Sequence, residues 1–230
     1  MKCHQRVVRE RDELESVLDP LFSLPPGAGK SLDDCDVREV SFRDAKAFIL
    51  RYEWLGTMPS GFRTAVGAYW RGHLGGVVDL GSPNPMQIAK SVFGGWRPES
   101  VMQVHRGAGA WWAHPHTASF LLAMAAKVSA SRGYRCMVAF SDPMAGEVGT
   151  VYQASNWLCC GMTAKRPDYV SASGKRLVGN FKVEEGMRRV ERPRKWRYVC
   201  LLGSRGQRRE ALGRLAWPVV DYPKREVENA

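Results

Sequence analysis

The segment AFSDPMAGEVGTVYQASNW, residues 139–157, decides the reading of this chain. The apolar run from Cys136 to Phe140 has the length of a buried strand, and Ser141-Asp142-Pro143 cannot continue it. Asp142 therefore stands at the carboxyl end of a strand, the edge at which open α/β sheets bind ligands. Gly146 and Gly149 permit a tight turn, and Thr150 is placed to cap a short helix carrying Tyr152, Gln153 and Asn156. Such a helix brings Tyr152 back towards Asp142. The same spacing also fits a plainer arrangement, a surface Asp capping a turn beside a half-buried Tyr.

Upstream, residues 117–132 carry Phe120, Leu121, Met124, Ala125 and Val128 on one stripe, with Gly133 behind them, which predicts a long helix. Val101–Arg106 predicts a strand, and Gly107-Ala108-Gly109 offers a bulge or a close backbone approach. Phe62–Trp70 and His73–Leu80 read as a hairpin across Arg71-Gly72. Ser41 with Asp44 starts a helix through Ala45, Phe48, Ile49 and Tyr52. Val37 and Val40 suggest a short strand, and 85–93 a helix. Downstream, strands are expected at 157–162, 168–171, 175–183 and 197–202, a basic helix at 204–215 and an extended tail at 218–225. Early mixed hairpins and a β-α-β unit at 101–140 suit an α+β fold of the GNAT acyltransferase type, a mixed sheet flanked by helices. Such a fold holds its acyl donor where strands splay and a helix N-terminus faces a pyrophosphate. Trp112–Ser119 occupies that loop and lacks the Arg/Gln-x-x-Gly-x-Gly/Ala pattern, which argues against an acyl-CoA-type donor.

A length of 230 residues suits a single domain over 36–225 behind an N-terminal helix and linker over 1–35. Residues 5–18 read as a surface helix. Leu24-Pro25-Pro26-Gly27-Ala28-Gly29-Lys30-Ser31 ends like a phosphate loop, but the first glycine of that motif falls on Leu24 and two prolines replace the entering strand; a linker is the better reading. There is no run of roughly eighteen apolar residues, and the N-terminus is charged from the start, so a cytoplasmic protein without a membrane partner is expected. Six cysteines with no C-x-x-C pair point to reduced, buried thiols. The net charge of +11 is uneven: residues 163–230 hold 17 of the 34 Lys and Arg but only 8 of the 23 acids. Arg188, Arg189, Arg192, Arg194 and Lys195, followed by Trp196, Arg197 and Tyr198, form a polyanion footprint that combines phosphate contacts with a stacking surface. A basic face kept for solubility is the alternative.

Arg51-Tyr52-Glu53-Trp54-Leu55-Gly56-Thr57-Met58, Arg106, Pro115–Leu121, Ser141-Asp142-Pro143, Gly149–Trp157, Arg197-Tyr198-Val199 and Tyr222-Pro223-Lys224, in this order, resemble the phage Mom family of DNA-modification proteins. The likeness covers about residues 36–225, and its G-T-V-Y-Q-A-x-N-W block and terminal Y-P-K are specific in combination. Mom-type proteins are similar to GNAT acyltransferases and convert adenine in phage DNA to an N6-carbamoylmethyl derivative that blocks host restriction. The resemblance thus implies that activity, with double-stranded DNA as partner and a homodimer as an open expectation.

The family's functional positions fall on Tyr52, Arg106, Ser119, Asp142 and Tyr152. Asp142 can accept a proton from the adenine amine or orient it, and Tyr152 can donate to a leaving group. Arg106 can fix a phosphate or carboxylate, Ser119 can add a hydroxyl to a helix N-terminus, and Tyr52 can stack on an extruded base. Arg51, Trp54 and Gln153 stand beside these as substrate-binding candidates. Structural roles compete: Tyr52 as a core aromatic, Ser119 as a helix-start residue, Arg106 as an ion-pair partner. Iron has been proposed for the family, whose members often carry histidine before the position of Tyr52 and at 147, and asparagine at 116. Arg51, Glu147 and His116 stand there instead, leaving His105, His114 and His116 as substitutes. A conventional acetyltransferase of a small amine, RNA or protein, and a non-catalytic DNA-binding protein, are the competing functions.

Overall fold

The protein is described by a computed structural model over residues 3–18, 24, 27–174, 176–177 and 185–224. In chain order its elements are α1 (His4–Leu18), β1 (Cys35–Glu39), α2 (Phe42–Tyr52), β2 (Phe62–Trp70), β3 (His73–Gly81), α3 (Gln87–Val92), β4 (Val101–Gly109), α4 (Thr117–Ser131), β5 (Cys136–Ser141), α5 (Thr150–Ala154), β6 (Leu158–Met162), β7 (Pro167–Val170), β8 (Arg176–Leu177), β9 (Arg188–Glu191), β10 (Trp196–Leu201) and α6 (Arg205–Arg214). Seven strands make one sheet in the order β1-β2-β3-β4-β5-β10-β6. Every neighbouring pair is antiparallel except β4 with β5.

Local chemistry accounts for the boundaries. Ser41 caps α2 by accepting from the Asp44 N–H at 3.1 Å. Arg71 and Gly72 both take the left-handed conformation, which a two-residue hairpin needs if it is to match the twist of β2 and β3. Ser204 and Gln207 form a capping box at the start of α6.

The sheet is covered on both faces. On one, Leu121, Leu122 and Ala125 of α4 pack on Val66, Leu80, Met102, Val104, Met137 and Ala139. On the other, Ala45, Phe48 and Ile49 of α2 pack on Ala65, Val77 and Ala108, while α3, Ala211 of α6 and Trp217 cover Val101, Val138 and Val199. Each large apolar side chain buried this way contributes about 1.5–3 kcal/mol. A second sheet, β8-β7-β9, is inserted between β6 and β10 and carries the basic residues outward.

Three elements depart from the sequence reading; the first is α5, which starts from Gly149 with no side-chain cap from Thr150 and stops at Ala154, leaving Asn156 outside it. Only Arg176–Leu177 of the strand expected at 175–183 falls among the described residues, paired with Tyr169 and Val170; the remainder lies outside them. Strand β9 has no counterpart in the sequence reading, because Arg188-Arg189-Val190-Glu191 is exposed throughout and shows no apolar alternation; its pairing with β7 supplies the strand. Residues 218–224 form no helix or strand and are tied down by Val220 N–H to the Cys159 carbonyl and by the Tyr222 hydroxyl to the Trp157 carbonyl.

Gly149 fixes the entry to α5. Its φ is +70°, and a Cβ there would lie 2.3 Å from the buried Tyr198 ring. Gly149→Ala is therefore expected to cost about 3 kcal/mol and to lower Tm by roughly 6–12 °C, measured by calorimetry.

Candidate active site between the parted strands

β4 and β5 are paired only at Val101–Cys136, Met102–Met137 and Gln103–Val138. Beyond these positions the strands part, leaving one edge of β4 from Val104 to Gly109 without a strand partner. A bulge opposite Asp79 and Leu80 adds to the bend, since Arg106 faces Asp79 while Val104 faces Leu80. The extra residue, His105, thereby joins Arg106 on the α2 face. The gap is the middle of a cavity of about 790 Å³ that reaches α4 on one side and α3 and Trp217 on the other. Such a volume is ordinary for a small-molecule site.

Asp142 leaves the end of β5 at this gap. Its Oδ1 accepts from the Met144 N–H at 3.0 Å and its Oδ2 lies 3.2 Å from Lys195 Nζ. Glu147 stands beside it, its carboxylate accepting from the Trp54 indole at 3.0 Å. Burial pushes the Glu147 carboxyl up, against hydrogen bonds from the Asp142 backbone and Trp54 that pull it down. Glu53 is buried, accepts from the Leu55 N–H at 2.9 Å and sits 3.8 Å from Arg106 Nε. Its pKa is also raised by burial, only partly offset by that guanidinium. Arg106 further donates to the Thr57 carbonyl at 3.1 Å and to the His105 carbonyl at 2.8 Å.

Asp79 and His105 form a second, deeper pair. His105 Nε2 lies 2.9 Å from the Ser82 carbonyl, which can only accept, so the ring proton is on Nε2 and Nδ1 is bare. That bare nitrogen faces Asp79 Oδ2 at 3.8 Å, and neither Asp79 oxygen has a hydrogen-bond partner. Burial pushes Asp79 up to about 7, with Arg106 opposing, and holds His105 below its ordinary value.

Across the gap, Tyr152 of α5 lines the cavity while its ring packs at 5.1 Å from Tyr198 and 5.2 Å from Trp157. Burial raises its pKa, so the hydroxyl keeps its proton. Tyr198 is fully buried and donates to the Val148 carbonyl at 2.6 Å, fixing the turn that aims α5.

Of the residues singled out in the sequence, Trp54, Arg106, Asp142, Tyr152, Arg192, Lys195 and Arg197 line this cavity. Tyr52 does not: its ring packs on Phe48 at 4.5 Å, with the exposed Arg51 stacked 5.1 Å from it. Ser119 donates to the His116 carbonyl at 3.0 Å within the first turn of α4. Gln153 ties the Val148 carbonyl to the Pro223 carbonyl and the Tyr198 hydroxyl, and so braces the tail against α5. Arg197 faces inward, donating to the Cys160 carbonyl at 2.6 Å, and Arg194 donates to the Thr163 carbonyl at 2.7 Å. Arg188 and Arg189 are exposed on β9.

Glu53 and Asp79 are site residues that the sequence reading does not single out, and His105, named there as a substitute metal ligand, faces Asp79 instead. Asp79 has a signal: it is the one acid in the apolar strand His73–Gly81. The place of α1 likewise emerges only in three dimensions. Gln5 donates to the Tyr52 carbonyl at 2.5 Å and accepts from the Trp54 N–H at 3.2 Å, while Arg9 donates to the carbonyls of Trp111 and Ala113 at 2.8 and 3.2 Å. The helix thus straps one rim of the cavity to the other, with Gln5 and Arg9 in the lining.

The histidines do not suit an iron site. His105 Nε2 is engaged with the Ser82 carbonyl while its Nδ1 faces only Asp79, and His114 Nδ1 accepts from the His116 N–H at 3.2 Å. Among the described residues no three His, Cys, Asp or Glu side chains are grouped to hold a metal. No helix there is long and apolar enough to cross a membrane.

A mixed sheet whose single parallel pair parts above a helix N-terminus defines the GNAT acyltransferase fold. Solved structures similar to the chain are acetyltransferases. An N-acetyltransferase from Staphylococcus aureus Mu50 is 13% identical over 74% of this chain and 99% of its own, with a TM-score of 0.46. A GNAT superfamily phosphinothricin acetyltransferase from Sinorhizobium meliloti, solved with AcCoA, is 14% identical over 74% and 89%, also at 0.46. An agmatine N-acetyltransferase is 15% identical over 74% and 100%, again at 0.46. None of the curated proteins matches the chain. The Mom protein family, by contrast, matches residues 34–224, and the chain belongs to that family. Helix α1 precedes the matched region.

The raised pKa of Asp79 sets a pH dependence. Between an ordinary 3.8 and about 7 the folded protein binds the extra proton, so this residue's contribution to stability falls as pH rises through that window and is level above it. The Tm of Asp79→Asn relative to the parent is therefore expected to rise from pH 4 to pH 7 and to level off by pH 8, by differential scanning fluorimetry.

Proposed function

We propose that this protein is a transferase that modifies adenine in double-stranded DNA, giving the N6-carbamoylmethyl base that protects phage DNA from host restriction. The observation that carries the reading is a single cavity joining Asp142, Glu147 and Tyr152 to a basic rim at Arg166, Arg192 and Lys195. Membership of the Mom protein family supports it. An N6 amine inside paired DNA is out of reach, so the base leaves the stack and enters the cavity. There Asp142, held by Lys195 and the Met144 N–H, orients the amine and accepts from it. Nitrogen forms the new bond to the transferred carbon, the carrier leaves with the bonding electrons, and the amine's proton passes to Asp142 or Glu147. Tyr152, which burial keeps protonated, donates to the departing group.

The carrier belongs at the α4 end, where Thr117 and Ala118 line the cavity and a helix N-terminus favours an anionic group on it. Because attack at a thioester carbonyl would give an N6-acyl adenine, the carbon that bonds to nitrogen is a methylene of the donor, from which the carrier departs. The loop from Ala110 to His116 contains no glycine, so the usual pyrophosphate cradle is replaced by a bulkier one.

Mass spectrometry of nucleosides from DNA of cells expressing the chain tests the reading. A deoxyadenosine bearing the carbamoylmethyl mass is expected, and unmodified DNA would return the chain to a conventional acetyltransferase or a DNA-binding protein. Asp142→Asn and Tyr152→Phe should each lower the modified fraction by about 10²-fold while DNA affinity and Tm stay near the parent's, with the double variant far from additive.

The exposed cations make a separate expectation. Arg194 and Lys195 are engaged with Thr163 and Asp142, whereas Arg166, Arg189 and Arg192 line the small sheet and the cavity rim. Replacing these three by alanine should reduce the slope of log K against log salt by about 0.9 for each phosphate no longer neutralised, read by fluorescence anisotropy on duplex DNA.

A further inference from the structure

The two ends of the cavity differ in kind, and the difference assigns them to different substrates. Along β5, Met137 and Ala139 face α4, while Val138 and Phe140 face α3 and α6. Phe140 pairs across the strands with Arg197 of β10. Trp217 closes the corner, its ring 6.4 Å from that of Phe140 and 4.5 Å from the Arg197 guanidinium carbon. Arg197 is pinned by its bond to the Cys160 carbonyl, so this wall is set in place before any ligand arrives. All three side chains line the cavity.

Above the wall lies the basic rim. The Arg192 N–H donates to the Arg166 carbonyl at 3.0 Å, which holds both residues at the point where the small sheet leaves the large one. Asp142 follows Phe140 on the same side of β5, at the gap itself. A flat ring seated on Phe140 and Trp217 therefore has cationic side chains behind it, where a sugar-phosphate backbone would run, and a carboxylate at its leading edge. The α4 end differs: it offers a helix N-terminus and Tyr152, and the cation there, Arg9 of α1, is already engaged with the Trp111 and Ala113 carbonyls.

We infer that the Phe140–Arg197–Trp217 wall is the nucleobase subsite, receiving a purine extruded from the duplex with its amine towards Asp142, while the α4 end takes the donor. The assignment rests on the DNA reading above. Stacking on Phe140 and Trp217 supplies the affinity for the base, and the rim cations supply the affinity for the strand.

Fluorescence anisotropy with two labelled duplexes separates these terms. One carries an adenine opposite an abasic site, so that extrusion costs little; the other carries abasic sites on both strands at that position. The full-length protein is expected to prefer the first by roughly tenfold. Phe140→Leu, which keeps the apolar bulk and removes the π face, should bring the preference below about twofold, leaving affinity for the doubly abasic duplex and its salt slope as in the parent. Trp217→Leu provides the same reading from the other side of the corner should Phe140→Leu melt early. Binding of both duplexes with equal affinity by the parent, or a preference retained in both leucine variants, overturns the subsite while the DNA reading stands. Absence of salt-dependent binding to either duplex overturns the DNA reading and the subsite together.

Discussion

β4 and β5 hold together over three residue pairs and then separate, and the space between them dictates where every polar group of the site can lie. A sheet interior is otherwise closed: each strand's backbone is consumed by its neighbours, and no ligand approaches it edge-on. Here the only parallel pair of the large sheet gives way beside a bulge, so one edge of β4 and the end of β5 become walls of a cavity without breaking the sheet's other ladders. The antiparallel pairs on either side, β3 with β4 and β5 with β10, keep those walls rigid. An opening made by strand divergence is accessible from both faces of the sheet.

Rigid walls permit the unusual concentration of ionisable groups inside. Glu53, Asp79 and Glu147 are each pushed towards neutrality by burial, and Arg106 offsets part of the cost for Glu53 and Asp79. Carboxyls so raised exchange protons closer to neutral pH, whereas in water they would be fully ionised there. In the pair formed by Asp79 and His105, both carboxylate oxygens and the imidazole Nδ1 lack hydrogen-bond partners. Such a pair costs stability, and the bulge that brings His105 to the α2 face is what creates it.

Two peripheral pieces turn the cleft into a bounded cavity. Helix α1, outside the region shared with the Mom family, links the end of α2 to the loop before α4 through Gln5 and Arg9. At the opposite side the β8-β7-β9 sheet brings Arg166 and Arg192 to the rim. One piece ties the two rims together through hydrogen bonds and the other adds cations at the rim.

Much of this is legible in the amino-acid order. The hairpin of strands at 62–70 and 73–80, the capped helix at 41–52, the apolar stripe of 117–132 and the strand ending at Asp142 follow from side-chain pattern and turn chemistry, which act over a few residues. Asp142 and Tyr152 read as partners because a turn and a short helix connect them locally. Tyr52, Ser119 and Gln153 are equally conspicuous, yet packing on Phe48, the His116 carbonyl and Pro223 absorbs them, and nothing local distinguishes a polar group used by the fold from one left for a substrate. Strand β9 exists only through its pairing with β7. The Asp79–His105 pair exists only through the register between β3 and β4. The sequence by itself determined the charge, most of the elements of the large sheet and its helices, and the strand that ends at Asp142; tertiary structure alone decided which side chains face the gap, because parting of β4 from β5 is a property of residues far apart in the chain and of no residue singly.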